Sequence, residues 1–411
     1  MTILYKIGIL FYAVLIRISS LFNQKARLFI AGRKDWKEKL QREIDKNSNY
    51  IWFHCASLGE FEQGRPVIEE IKTRYPEYKI LLTFFSPSGY EIRKNYDKAD
   101  LVMYLPMDTK RNARFFISHV KPEKVFFVKY EFWYFFITEL KRREIPLYLI
   151  SAIFREQQFF FKQNPVANWY RKVLSNFTHF FVQDKQSKKL LEKAEITNCT
   201  VSGDTRFDRV AAIAAGARKI PVVEKFKENA QTIIAGSTWR PDEELLTAFI
   251  NQTPAVKMII APHEVTPNNI NKLEQLLKKP SIRFSQSEKM DPRTHQVLII
   301  DSIGLLSSLY QYGDMAYIGG GFGVGIHNIL EAATFGLPVI FGPEYKKFKE
   351  AVELKSAGGA FSIQNFSELD SNLKNLLHHE QTLKKVSSIC ENYVQKNTGS
   401  TFIIIKKVFN N

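Results

Sequence analysis

Cysteine is scarce in this 411-residue chain: Cys55, Cys199 and Cys390 stand far apart, odd in number and without a Cys-x-x-Cys pair. That excludes a disulfide framework and a thiolate zinc site, and fits a reducing compartment. The metal-holding Asp-x-Asp pair is missing and the eight histidines are scattered, so no metal and no other cofactor is expected. No Gly-Lys pair exists for an ATPase-type phosphate loop. RNA-binding signatures, zinc-finger spacings and basic heptads are absent too, so no nucleic acid is expected as a partner. Long hydrophobic runs are also lacking. The longest near either end is Ile7 to Ile16, bracketed by Lys6 and Arg17, whereas a spanning helix needs about 20 apolar residues. No small-residue cleavage site follows it, which argues against a secretory signal.

What is present is an excess of positive charge, 58 Lys+Arg against 42 Asp+Glu, for a formal +16. Such an excess favours an acidic partner: nucleic acid, an anionic membrane surface or an anionic substrate. The apolar segment 2–22 is followed by a basic tract of Lys25, Arg27, Arg33, Lys34, Lys37, Lys39 and Arg42. Together they read as an interfacial helix or shallow anchor on an anionic membrane surface. The alternative is a first helix packed on the body with a solvated basic face. With 45% hydrophobic residues the chain can bury two cores, and its length suggests two domains of about 200 residues.

From Tyr50 an α/β rhythm begins. Strands are expected at 50–54, 79–85, 101–105, 124–128, 146–150 and 177–183, with a helix from about Gly64 to Tyr75 and another opening at Ser86. Around Asp204 to Pro221 the pattern loosens. A second series then places strands at 232–235, 256–261, 297–300, 315–318, 338–341 and 359–361, and closing helices at about 366–378 and 381–396. Alternation of this kind predicts parallel sheets covered on both faces. The expected organisation is an apolar helix over 1–24, one Rossmann-like domain over 25–215 and another over 216–411, with ligands in a cleft between the two domains.

One stretch, Met315 to Pro343, concentrates the chemistry. A strand leads into Gly319-Gly-Gly-Phe-Gly-Val-Gly325, a helix is expected from Ile326 to Phe335, and a second strand follows. Free loop amides and a helix N-terminus suit a phosphate. His327, Asn328 and Glu331 at the helix start suit a nucleotide better than simple packing. The loop fails the dinucleotide pattern, because its last required glycine falls on Val324.

Other candidates follow strands directly. Glu60 in Ser57-Leu-Gly-Glu60 can take a proton from a hydroxyl, or else serve as a helix-start carboxylate. Glu131, set among aromatics, is either functional or matched to a cation. Arg206 in Gly203-Asp-Thr-Arg-Phe-Asp208 can hold a carboxylate or phosphate, or stand on the surface. Ala235-Gly-Ser237-Thr238, Pro262-His263-Glu264 and Asp301-Ser-Ile303-Gly304 all lie at strand C-terminal ends, the ligand edge of an open α/β sheet.

These residues, in their order, resemble the motifs of the 3-deoxy-D-manno-octulosonic acid (Kdo) transferase family. The resemblance is carried by Ile51-Trp-Phe-His-Cys-Ala-Ser-Leu-Gly-Glu60, Gly203 to Asp208, Ala235 to Thr238 and Gly325-Ile-His-Asn-Ile-Leu-Glu331. It extends over almost the whole chain, including the apolar start followed by Gly32-Arg-Lys-Asp-Trp36. It implies a GT-B glycosyltransferase that moves Kdo from CMP-Kdo to lipid IVA at the cytoplasmic face of the inner membrane. It implies Glu60 as general base for an inverting transfer, with Glu131 and Arg206 stabilising the transition state. Pro262-His263, Ile303-Gly304-Leu305 and Asn328-Ile329-Leu330-Glu331 would contact CMP. Ser57, Gly59, Ser237, Thr238, Gly320, Gly321, Gly325 and His327 complete the expected substrate and donor site. Two departures stand out: Lys129-Tyr-Glu-Phe-Trp-Tyr134 where Glu-Thr-Glu-Leu-Trp-Pro is usual, and Arg206 where lysine is usual. Another GT-B enzyme, either a sugar transferase or a UDP-sugar 2-epimerase, is the alternative, and a non-catalytic binder of membrane or nucleic acid is favoured by charge alone.

Overall fold

The computed structural model describes residues 1–410 and divides into two compact units. One comprises Met1–Arg209 together with the stretch from Thr398, the other Val210–Asn397. In the first, seven strands run parallel: β1 (Tyr50–Cys55), β2 (Lys79–Phe84), β3 (Leu101–Tyr104), β4 (Lys124–Val128), β5 (Leu147–Ala152), β6 (His179–Val182) and β7 (Cys199–Val201). Their order in the sheet is β3-β2-β1-β4-β5-β6-β7. In the second unit β8 (Thr232–Thr238), β9 (Lys257–Pro262), β10 (Ser281–Arg283), β11 (Val297–Ile299), β12 (Met315–Ile318), β13 (Val339–Phe341) and β14 (Ala360–Ser362) form another parallel sheet. Its order is β10-β11-β9-β8-β12-β13-β14.

The strands are apolar because both faces of each sheet are covered. Along β1 every residue is buried, and the period of two sorts them to opposite sides. Ile51, Phe53 and Cys55 join one core cluster, and Tyr50 and Trp52 join the other. Phe53 stacks on Phe126 of the neighbouring β4 at 4.7 Å between ring centroids, and Trp52 meets Phe127 edge-on at 5.4 Å.

Several boundaries depart from expectation. The helix expected from about Gly64 starts at Leu58 and ends at Arg74, with Pro66 inside it. Residues 58–65 offer a single large apolar anchor beyond Leu58, the buried Phe61, so the helical spacing is too sparse there to see. The short edge strands β7 and β10 have no apolar run to announce them. The helix expected over 326–335 shrinks to Leu330–Ala333. Loop pairing takes the earlier donors: the Ile326 amide reaches the Glu344 carbonyl and the His327 amide reaches the Gly319 carbonyl.

The first unit also takes up the last helix, Ser400–Phe409, which the sequence had assigned to the second domain. Its Ile404, Ile405 and Val408 join the cluster under β1 and β2. Asp208 caps it, accepting from the Gly399 amide at 2.5 Å and the Thr401 amide at 2.7 Å.

The N-terminal helix, Thr2–Ser19, rests on the first unit by one stripe, with Tyr5, Ile9, Ala13 and Ile16 half-buried and no residue fully buried. Tyr5 donates to Asp108 at 2.5 Å, and Asp108 also accepts from the Phe135 and Phe136 amides. Burial lifts the Asp108 carboxyl to about 6 against those hydrogen bonds. The opposite face leaves Ile3, Leu4, Ile7, Phe11, Leu15 and Ile18 exposed. Replacing Ile405 by alanine is expected to destabilise the first unit by about 2–5 kcal/mol through the cavity it leaves. Urea unfolding of the full chain measures this, and an unchanged midpoint would mean that the helix is only loosely docked.

Candidate active site

Each sheet reverses its winding direction at one point, the place where open α/β sheets bind ligands beyond their carboxyl ends. In the first unit this point lies between β1 and β4, and in the second between β8 and β12. Glu60 and Ser57 follow β1, and Glu131 follows β4. Ser237 and Thr238 end β8, and the glycine loop follows β12. The candidates therefore gather at the switch point of their own unit.

Ser57 is the N-cap position of the helix that begins at Leu58, and Glu60 stands in its first turn, partly exposed. The Ser57 hydroxyl does not cap a backbone amide; it donates to Glu60 Oε2 and fixes that carboxylate's direction. Gly59 is exposed beside it. Glu131 is buried, and its partner is not a lysine or arginine but His54, Nε2 to Oε2 at 3.0 Å. The Trp133 indole N–H donates to the same oxygen at 2.6 Å and lies 3.1 Å from His54 Nε2. On the other side of the ring, His54 Nδ1 lies 3.2 Å from the Thr83 carbonyl and 2.9 Å from its hydroxyl. A carbonyl only accepts, so Nδ1 is the donor on that side, and Nε2 faces the carboxylate and the Trp133 N–H. Cys55, fully buried, reports on both carboxylates: burial raises its thiol well above the ordinary range, and Glu60 and Glu131 each raise it further. His54 lies within the quoted β1 motif, yet its role was missed, because a histidine inside an apolar strand carries no local signal of its partner.

Arg206 is not a simple surface arginine. Its Nε and Nη2 donate to Asp204 Oδ2 at 3.0 and 2.8 Å, and Gln63 donates to the same oxygen at 3.1 Å. Gln63 belongs to the helix that carries Glu60, so Asp204 ties Arg206 to that element. Burial pushes the Asp204 carboxyl up, but Arg206 and Gln63 outweigh it and hold the carboxyl below its usual range.

In the second unit the glycine loop presses against the end of β8. A Cβ on Gly319 would lie 2.3 Å from the Ser237 carbonyl oxygen, and Gly320 has a φ of +91°. The loop's amides are largely spent internally, contrary to the expectation of a free amide cradle. Gly319 donates to Gly236, and Gly323 and Gly325 donate to the Gly320 carbonyl. Gly320 donates to Asp242 at 3.0 Å, and Asp242 also accepts from the Trp239 amide at 2.9 Å and the Tyr317 hydroxyl at 2.7 Å. The four-residue helix at 330–333 likewise supplies no extended dipole. Asp242 escaped notice, although Pro241 and an acid one position further on is a helix-start signature.

The structure brings Trp239, His263 and His327 into one stacked column, with ring centroids 4.6 and 4.4 Å apart, and the Trp239 N–H donates to His327 Nε2 at 3.3 Å. The column borders a cavity of about 520 Å³ lined by Thr238, Trp239, Pro262 and Lys272 among others. Thr238 is buried and its hydroxyl donates to Glu243. Ser237 holds a left-handed φ of +54°. Asn328 donates to Glu331 at 3.1 Å and accepts from the Leu330 amide. Gly321 and Gly325 are buried within the loop, Ile329 and Leu330 are buried in the core, and none of the four presents a side chain to a ligand. Ile303, 91% exposed, precedes Gly304 and Leu305 beyond β11, which is separated from β8 by β9. Among the described residues no group of three His, Cys, Asp or Glu side chains converges as a metal site.

These two sheets define a GT-B fold. A UDP-GlcNAc 2-epimerase from Neisseria meningitidis matches with a TM-score of 0.61 at 16% identity, covering 88% of this chain and 100% of that one. MurG from Acinetobacter baumannii matches with a TM-score of 0.55 at 11% identity, covering 89% and 100%. Within that fold the chain is similar in sequence to Kdo transferases. The family model described as 3-deoxy-D-manno-octulosonic-acid transferase matches residues 34–209. The Kdo transferase of Aquifex aeolicus is 28% identical over 84% of this chain and 93% of its own length. That of Haemophilus influenzae is 25% identical over 85% of this chain and 84% of its own length.

Replacing His54 by leucine is expected to cost about 1–3 kcal/mol by stranding the Glu131 carboxylate, and the cost should shrink when Glu131 is also changed to glutamine. A double-mutant cycle in urea reads this coupling, and strict additivity would show the contact to be inert. A second test is pH. Burial, then the neighbouring His263, pushes His327 down to about 4 from 6.5. Between those values the unfolded chain takes a proton that the folded chain refuses, so stability falls as pH drops through this window. The slope should flatten in His327→Gln, and an unaltered slope would mean that His327 titrates normally.

Proposed function

We propose that the protein is an inverting glycosyltransferase that moves Kdo from CMP-Kdo to lipid IVA in lipopolysaccharide core assembly. The observation that carries this reading is the pair of carboxylates, Glu60 and Glu131, that follow the two strands flanking the switch point of the first unit. Glu60, held by Ser57, takes the proton of an acceptor sugar hydroxyl. The freed oxygen pair attacks the anomeric carbon of Kdo from the face opposite CMP. The bond from that carbon to the CMP phosphate oxygen breaks, and CMP leaves with the electron pair. Glu131, locked in place by His54 and Trp133, faces the charge that develops on the sugar. Arg206, oriented by Asp204, supplies positive charge for the donor's carboxylate or phosphate.

The second unit holds the nucleotide. His263 stands in the aromatic column with Pro262 lining the cavity beside it, and Asn328 and Glu331 present an amide and a carboxylate suited to ribose hydroxyls. The exposed Ile303 and the open Gly304 offer a flat edge to the base. The apolar outer face of the N-terminal helix and its neighbouring cations support a position at the cytoplasmic face of the inner membrane, against anionic lipid. The helix is 18 residues long with a mean hydropathy of 1.7 and has no buried residue. By length and composition it is long and apolar enough to cross a membrane, and its half-buried stripe against the first unit favours an interfacial position.

Glu60→Gln is expected to keep the fold and CMP binding while transfer drops by about 10²–10⁴-fold. Mass spectrometry of lipid IVA incubated with CMP-Kdo measures transfer, and calorimetry measures CMP. Near-normal turnover in the variant would remove Glu60 from the role of base. Binding of UDP in preference to CMP would favour the epimerase or another sugar transferase.

A further inference from the structure

We propose that the seam between the N-terminal helix and the helix Gln24–Ala31 is a groove that takes one acyl chain of the acceptor lipid, with a phosphate of that lipid held at Arg17 and Lys34. This rests on the reading that the acceptor is a phosphorylated, acylated sugar.

The groove has a volume of about 430 Å³. Leu10, Val14, Phe29, Ile30 and Met107 make its walls apolar, and Arg17, Arg33 and Lys34 enter from its border. Ligand chemistry follows from the charge pattern. Residues 1–34 contain Lys6, Arg17, Lys25, Arg27, Arg33 and Lys34 and not one aspartate or glutamate. Arg33 is the telling case. Its guanidinium donates to the carbonyls of Leu105, Phe29 and Phe85 at 2.9, 3.0 and 2.7 Å and lies 3.5 Å over the Phe29 ring. The Tyr104 ring lies 4.8 Å from it, and among the described residues no carboxylate forms an ion pair with it. A cation half-buried in an aromatic nest with no counter-ion leaves positive potential at an apolar opening. An amphiphile with an anionic head and an alkyl chain matches both features.

The groove also leads to the proposed chemistry. A second, smaller cavity of about 290 Å³ shares Ile16 and Phe29 with the first and is closed by Phe85. Phe85 packs on Trp133 at 4.4 Å between ring centroids, and Trp133 donates to Glu131. A lipid whose chain lies along Phe29 thus has its sugar head beside the carboxylates at the switch point.

The test uses dodecyl phosphate, decyl phosphate and uncharged dodecyl maltoside below their micelle concentrations, with binding to the full chain followed by calorimetry. Each methylene taken out of water is worth roughly fourfold in affinity, so decyl phosphate should bind about tenfold more weakly than dodecyl phosphate. Ala13→Trp and, independently, Ala31→Phe fill the groove from opposite walls and should each weaken dodecyl phosphate at least tenfold. Partitioning onto phosphatidylglycerol vesicles, which uses the outer face, should not change. Arg17→Glu with Lys34→Glu should abolish the preference for phosphate over maltoside. Equal binding of the two chain lengths, or undiminished binding in both filled variants, would overturn the groove. So would filled variants that lose vesicle and detergent binding alike, since that marks a general membrane surface. The Kdo transferase reading has its own readout: turnover of an acceptor stripped of its acyl chains, which should persist in the filled variants and fails only if that reading fails.

Discussion

A parallel sheet covered on both faces has no room for chemistry along its strands. Every side chain of β1 is buried, and His54 is tolerated there only because each ring nitrogen has a partner. Reactive groups are confined to the carboxyl ends, and of those ends only the ones flanking the reversal of winding leave a gap wide enough for a ligand. The positions of Glu60, Glu131, Ser237 and the glycine loop all follow from that constraint.

The Glu131 cluster shows how a buried carboxylate is kept where a solvated one would be simpler. Removing a carboxylate from water is strongly unfavourable unless its oxygens are satisfied. Here an indole and an imidazole provide donors, and Thr83 fixes the imidazole from behind while accepting from Trp52 at 2.8 Å. Two residues, one from β1 and one from the loop after β4, thus hold a single oxygen. None of the donors is a flexible cation, so the carboxylate has little rotational freedom to lose when a substrate arrives.

Much of this was legible in the residues. The strand pattern, the presence of two α/β units and the clustering of candidates at strand ends follow from apolar periodicity and from what comes after each strand. The helix around Glu60 was placed too late because Phe61 alone marks its first turn. The loop after β12 was misjudged for a different reason. Glycines and polar residues suggested open amides, yet those amides pair within the loop and with Asp242, a long-range partner that local spacing does not reveal. His54 and Trp239 were missed likewise, since the contacts that give them meaning cross 77 and 88 positions of sequence.

The last helix adds a consequence for synthesis. Because Ser400–Phe409 completes the core of the first unit, residues 210–397 form an insertion whose two ends are stapled by Asp208 to Gly399 and Thr401. A ribosome delivers the β1 sheet first but its covering helix last. The nascent first unit therefore waits, with Ile51 and Ile80 short of their final partners, through the making of the entire second unit. The second unit is the part of the chain able to finish folding before translation ends.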